Sequence, residues 1–244
     1  MILMVLIIIG WASAYFVLPF IVKALMRHRF RATKRREGAV CLTFDDGPDP
    51  VTTPEILLAL SQSGARATFF LLGKNAEAYP ELTARIVSEG HEVGEHSYSH
   101  LNPFLTGPMA YLRDLNRGRR ILASRTEVQG HALFRPPWGK LNAGTLIYVI
   151  LHRRRVILWD LDPKDYATDS PQTIAEFVTE HIRSGEILLL DDGRYRKGGP
   201  LNGTPAAVRM ILKEIGRRGL SAVTVSEILM QHPVPPRVRD EEVR

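Results

Sequence analysis

Two short stretches hold the residue types that do chemistry. LTFDDGPDP, Leu42 to Pro50, sets Asp45 and Asp46 side by side where an apolar run gives way to a turn. Neighbouring carboxylates repel, so the pair asks for a cation, an arginine or a shared proton beside it. HSYSH sets His96 and His100 four apart just after another apolar run. If that stretch winds as a helix, both imidazoles share one face and, with Asp46 as third donor, can bind a single cation. Two histidines and one carboxylate leave positions open for water and substrate. A solvated turn of Asp, Gly and Pro would explain DDGPD alone. It does not explain a histidine pair at the end of another strand-like run.

The elements that must position these residues alternate along the chain. Short apolar runs (AVCLTF, RATFFLL, HEVGEH, ALFRPP, RVILWDLD, EILLLDD, LSAVTV) are separated by segments with apolar residues at three- and four-residue spacings, from TPEILLALSQSG to TPAAVRMILKEIGRRG. Gly64, Gly90, Gly185 and Gly219 close several of these segments as helix C-caps do. Strand and helix alternating about seven times predict a parallel sheet or barrel. No GxGxxG follows the first run, so a dinucleotide fold lacks its signature. The polar residues decide the form. Asp45 and Asp46, Glu95 and His96, Arg135, Asp160 and Asp162, and Asp191 and Asp192 each follow a different run, the pattern of a (β/α) barrel with its site at the C-terminal face.

The 244 residues are 45% hydrophobic and 24% charged, the composition of ordinary globular protein. The lone Cys41 rules out an internal disulfide and any CxxC site, and its apolar surroundings predict a core residue. The net charge of +6 is local: seven basic residues lie between Lys23 and Arg36, and from Gly38 onward 25 basic side chains meet 25 acidic ones. No basic motif interleaved with aromatics is present, which sets nucleic acid aside as a partner. Residues 1–22 carry no charged side chain and are long enough to span a ~30 Å hydrocarbon layer. They read as a transmembrane anchor, since a signal peptide would show a basic start, a shorter apolar core and a small-residue cleavage site. The expected organisation is an anchor over 1–22, a basic juxtamembrane segment over 23–37, a catalytic domain over 38–230 and a disordered proline- and charge-rich tail over 231–244. The protein is thus expected at the cell membrane as a single-pass chain. The basic flank favours a cytoplasmic domain, although the same cluster could rest on anionic lipid on either side.

TFDDGPDP, HSYSH, FRPPWG, WDLDPKDY and EILLLDDG, in that order, resemble the polysaccharide deacetylase domain (NodB homology, carbohydrate esterase family 4) over about residues 38–230. The resemblance implies a distorted (β/α) barrel of about seven strands, here preceded by one transmembrane helix. It also implies removal of N-acetyl groups from an amino-sugar polysaccharide or glycolipid by attack of a metal-bound water. The implied roles are Asp45 as general base, Arg135 as its partner, and Asp46, His96 and His100 as ligands of one divalent ion: zinc, or cobalt or nickel in its place. The backbone N–H of Trp138 is implied to help hold the oxyanion, with Asp165, Tyr166 and Leu189 shaping the far side of the groove. Arg135 and the cation are expected to keep Asp45 ionised. The implied partners are an acetylated glycan or glycolipid and the membrane, and the resemblance, unlike the basic flank, favours an external domain.

One motif departs from the pattern. Where the family reads Leu-x-His-Asp, this chain has Leu189-Leu190-Asp191-Asp192. An Asp with the ordinary pKa near 4 is ionised at neutral pH and cannot protonate a leaving amine. A neighbouring Asp165 would let the pair share one proton and keep an acid available. Two alternatives stay open: a catalytically impaired glycan-binding protein, and an amidohydrolase acting on a lipid-linked sugar.

Overall fold

The computed structural model describes residues 20–28, 30, 35, 37–125, 133–193 and 203–229. Most of the anchor, part of the basic segment and the tail lie outside the described residues. Among the described residues no helix is long and apolar enough to cross a membrane.

The strands are β1 (Ala39–Asp45), β2 (Thr68–Leu71), β3 (Glu92–Glu95), β4 (Leu133–Phe134), β5 (Arg155–Val156), β6 (Ile187–Asp191) and β7 (Ser221–Ala222). They form one parallel sheet in the order β5-β4-β3-β2-β1-β6, with β7 paired to the start of β1. After β5 the chain crosses to the other edge. There the Asp160 N–H donates to the Ile187 carbonyl (2.9 Å), and the Leu189 N–H donates to the Leu161 carbonyl (2.9 Å). This crossing brings the two edges together, consistent with the (β/α) barrel expected from the placement of the polar residues.

The helices that matter for the site are α1 (Thr52–Gln62), α2 (Gly73–Ala78), α3 (Pro80–Ser88), α4 (Pro108–Arg125), α5 (Ala143–Leu151), α6 (Pro171–His181), α7 (Thr204–Arg217) and α8 (Val225–Ile228). Asp49 caps α1, its Oδ1 accepting from the N–H groups of Val51 and Thr52 at 2.9 Å each. Asn142 and Thr145 make a reciprocal capping box on α5. All four glycines expected to end helical segments have positive φ.

The period of two along the strands decides which side chains meet. Val40, Leu42 and Phe44 of β1 point outward into a core with Ile56, Leu57 and Leu60 of α1 and Val208 and Ile211 of α7. Ala39 and Cys41 point into the barrel with Phe70, Ile157 and Ile187, and Cys41 is fully buried. Continuing that inner row brings Thr43 and then Asp45 to the barrel interior. On β6, Leu188 and Leu190 belong to the outer core and Ile187 to the inner one, so Leu189 and Asp191 follow Ile187 inward.

Candidate active site

Asp45 ends the inner row of β1 and meets Arg135, which follows β4 and is fully buried. Arg135 Nη1 donates to Asp45 Oδ1 and to Thr43 Oγ1, both at 2.7 Å, and Nη2 donates to the Leu158 carbonyl at 3.3 Å. The guanidinium lies 4.1 Å from the centroid of the Phe70 ring. A charge this deep is tolerated only because its donors are met. Burial still outweighs the arginine, and lifts the Asp45 carboxyl to about 6. Arg135 acts in the expected direction, favouring the charged carboxylate, and a cation at the site would favour it further.

Asp46 follows with φ 73° and turns its side chain away from Asp45 toward the histidines. Its Oδ1 lies 3.5 Å from His96 Nε2 and 3.5 Å from His100 Nε2. One donor atom from each of Asp46, His96 and His100 falls within 4.8 Å of the others, and all three residues are buried. The stretch that carries the histidines is not the helix its spacing allowed. It is an irregular turn in which Ser97 (φ 72°) and His100 (φ 58°) adopt left-handed backbone. The turn is clamped by Asp114 of α4, which accepts from the Tyr98 N–H (3.1 Å), the Ser99 N–H (3.3 Å) and the Ser99 hydroxyl.

Hydrogen bonding tests whether these residues fit a cation. His96 Nδ1 lies 2.7 Å from the Arg135 carbonyl, which can only accept, so Nδ1 carries the proton and Nε2 presents a lone pair. That lone pair faces Asp46 Oδ1 and, at 3.7 Å, Asp45 Oδ2. Burial lowers His96 to about 3 and His100 to about 2, so both rings are neutral at neutral pH. Lone pairs aimed at carboxylate oxygens repel unless a positive ion lies between them. Ligands ~2.1 Å from a tetrahedral ion stand ~3.4 Å apart, and the two 3.5 Å separations match that edge. The donor set suits a divalent ion of the zinc class.

Asp191 sits in register with Asp45 across the β1–β6 pair. Burial first, then Asp165, Asp46, Asp45 and Asp192, push its carboxyl well above the usual range. Beneath it, Asp165 Oδ2 accepts from the Asp191 N–H (3.0 Å) and the Thr204 hydroxyl (2.9 Å), and burial lifts Asp165 to about 7. The side chain of Tyr166 is exposed, whereas Asp165 and Leu189 are buried. Trp138 has φ 61°, is partly exposed, and its ring centroid lies 5.3 Å from that of His100. Asp160 and Asp162 stand apart from the cation-sized space, Asp160 pairing with Arg35 and accepting from the Ile187 N–H at 2.9 Å, and Asp162 accepting from the Lys164 N–H at 2.9 Å.

These residues match known proteins. The polysaccharide deacetylase family model matches residues 32–152. A peptidoglycan-N-acetylglucosamine deacetylase of Bacillus cereus is 35% identical over 79% of this chain and 89% of its own length. The chain belongs to the polysaccharide deacetylase family. A chitooligosaccharide deacetylase of Sinorhizobium fredii is 33% identical over 64% of this chain and 72% of its own. The crystal structure of a peptidoglycan N-acetylglucosamine deacetylase with 4-naphthalen-1-yl-N-oxidanyl-benzamide superposes with a TM-score of 0.74 at 31% identity, covering 81% of this chain and 91% of that one.

Within this deacetylase-family chain, the sequence placed Asp192 and Glu95 at the rim but gave them no role, and it passed over Asn75 and Thr53. Asp192 is fully buried, accepts from the Thr53 hydroxyl at 2.6 Å, and is raised by burial to about 7. Asn75 donates to the Asp46 carbonyl at 2.6 Å. Glu95, on the outer row of β3, accepts from the Tyr148 hydroxyl and pairs with Arg154 at 2.9 Å, bracing the strand that delivers His96. The Asp191–Asp192 doublet was a visible signal. A single Asn or Thr far away in sequence was not.

Proposed function

We propose that this protein is a membrane-anchored deacetylase that hydrolyses the N-acetyl amide of an amino-sugar polymer, yielding acetate and a free amine. The reading rests on one observation, the meeting of Asp46, His96 and His100 around a cation-sized space beside the Asp45–Arg135 pair. A divalent cation held by those three ligands would polarise the acetyl carbonyl and acidify a water. Arg135 fixes Asp45 through Oδ1, so Oδ2, which faces the same space, takes the proton from the attacking water. The Trp138 N–H is assigned to the developing oxyanion, and Tyr166 to the sugar face at the mouth. Asp191, supported by Asp165, returns a proton to the leaving nitrogen. Both acids sit where burial and neighbouring carboxylates favour the protonated form.

The relatives' printed names point to peptidoglycan and chitooligosaccharides as the substrates to try first. Acetate release from both, with and without added zinc or cobalt, tests the proposal. Metal-dependent release is expected, and loss of release in Asp46→Ala, with the fold retained, is expected alongside it. A second reading follows from Asp191 standing where the family pattern has histidine: glycan binding without turnover would make this a catalytically impaired binder. Release from a lipid-linked sugar alone would favour the glycolipid reading. A reporter fused to the C-terminus would decide on which side of the membrane the domain lies.

A further inference from the structure

An apolar strip runs down one side of the barrel, and the deacetylation chemistry gives it no role. Phe104, Leu105 and Met109, in the approach to and first turn of α4, are 44%, 85% and 61% exposed. Ile147, Ile150 and Leu151 of α5 are 40%, 74% and 67% exposed. The two groups are continuous. Asn142, which caps α5, donates to the Pro103 carbonyl at 2.7 Å. A Cβ on Gly144 would come within 2.3 Å of the Pro108 carbonyl oxygen, so backbone meets backbone there. α5 buries Gly144, Thr145 and Tyr148 and partly buries Leu146 and Val149, but leaves Ile147, Ile150 and Leu151 in solvent, where an ordinary surface helix carries polar residues.

The segment that carries the strip is basic in sequence: residues 101–155 contain ten basic side chains and two acidic ones, although Arg135 is buried in the site and Arg117 and Arg154 pair with Glu77 and Glu95. Lys140 lies over the Phe104 ring at 5.5 Å, and the exposed Arg153 stands two residues after Leu151. The chain also arrives on this side. Lys23, whose ammonium is lowered by burial and by the nearby Arg27 and Lys140, comes just after Phe20 and Ile21, both exposed, and after the uncharged run that opens the sequence. Apolar side chains flanked by cations such as Lys140 and Arg153 are the composition of a surface that rests in the headgroup region of an anionic bilayer.

We propose that the α5 face and the 103–109 loop lie on the membrane as a second contact beside the N-terminal anchor, holding the mouth of the site, marked by Trp138 and Lys140, at the lipid surface. The inference rests on reading residues 1–22 as an anchor, and it adds an orientation that an anchor alone does not impose. In that posture the favoured substrates are glycan strands, or lipid-linked sugars, lying within a few ångströms of the headgroups.

Cys41, the lone cysteine, is fully buried and its thiol pKa is raised by burial, so a new surface cysteine labels selectively. The full-length variants Leu105→Cys and Ile150→Cys, and the controls Leu58→Cys on α1 and Met210→Cys on α7, are labelled with an environment-sensitive fluorophore. They are then reconstituted in phosphatidylcholine vesicles containing phosphatidylglycerol. Emission at 105 and 150 is expected to shift to shorter wavelength and to fall when a doxyl-labelled lipid replaces its unlabelled counterpart, while 58 and 210 do neither. Flotation after an alkaline wash reports the anchor separately. Vesicles that carry the protein while positions 105 and 150 respond like the controls would overturn the face and leave the anchor standing. Protein that fails to float would overturn both. Shielding at 105 and 150 without quenching by the lipid probe would also overturn the proposal, since a second copy or another segment of the chain would then cover the strip.

Discussion

Asp191→Asn is the sharpest test of the proposed chemistry, because it removes one proton while keeping the side chain's size and its backbone partners. Asp191 is paired through β6 with Asp45, and its N–H donates to Asp165, a bond the variant retains. If Asp191 supplies the proton to the leaving nitrogen, its loss removes general acid catalysis. That is typically worth ~10²- to 10⁴-fold in kcat, or about 2.7–5.4 kcal/mol of barrier. The pH dependence gives a second readout. Activity should rise as Asp45 ionises, from about 6 in the metal-free site and lower once a cation favours the carboxylate. It should fall again as the Asp191–Asp165 pair, in which Asp165 is raised to about 7, gives up its last proton. Acetate release measured as kcat and kcat/KM across pH should show this bell in the parent and only the rising limb in Asp191→Asn. Asp191→His, which restores the residue of the family pattern, should recover the falling limb. Parent-like kcat and an unchanged bell in Asp191→Asn would refute the assignment, and turnover would then need a donor other than this pair.

Three further outcomes follow from the same geometry. Free histidine is half-protonated at pH ~6.5, so from pH 6.5 to 8 the neutral His96 and His100 still add a little stability, while the raised carboxylates, which outnumber them, lose more. Asp165 and Asp192 are both raised to about 7 in the fold, and the stability their protonated forms provide is lost as pH rises through that value. Thermal melts in chelator should therefore show Tm falling from pH 6.5 to 8, and added zinc should flatten the slope. Arg135→Met leaves Asp45 buried without its cation, at a cost of about 3–5 kcal/mol, or roughly 6–20 °C in Tm by calorimetry. Gly118→Ala pits a helix-propensity gain of ~1 kcal/mol against a Cβ that would stand 2.5 Å from the Ser97 backbone. Backbone cannot yield at that distance, so the variant should lose zinc affinity by titration, because α4 would push on the turn that carries both histidines.

The parts of this structure legible in the sequence are those set by a period. Seven apolar runs and the intervening three- and four-residue spacings marked the strands and the long helices, and the inner row of β1 leads to Asp45 by alternation alone. Where local chemistry interrupts the period, legibility fails. ALFRPP reads as a full strand but pairs over only Leu133–Phe134, because Pro136 and Pro137 have no N–H to offer a ladder. RVILWDLD reads as one strand, yet only Arg155–Val156 pairs with β4 before the chain leaves to meet β6. The six-residue α2 and four-residue α8 are too short to show a period at all.

The site divides along the same line. Residue types and their order indicated which groups meet, but not the conformation or burial that makes them work. Serine seldom takes positive φ, and nothing in HSYSH announces that Ser97 does. The cause is Asp114, on a helix that begins eight residues after His100, whose carboxylate gathers the turn's polar groups and so brings His100 round to Asp46. Burial likewise sets where Asp45 titrates, since an arginine at 2.7 Å offsets only part of the water removed. The rim therefore crowds Asp45, Asp46, Asp165, Asp191 and Asp192 around two neutral imidazoles with one guanidinium among them. Left alone, such a rim is stable only by taking up protons. A divalent ion at Asp46, His96 and His100 would remove that need next to the ion and leave it intact at Asp165 and Asp191. One set of buried acids can in this way hold both the ionised base and the protonated acid that amide hydrolysis requires.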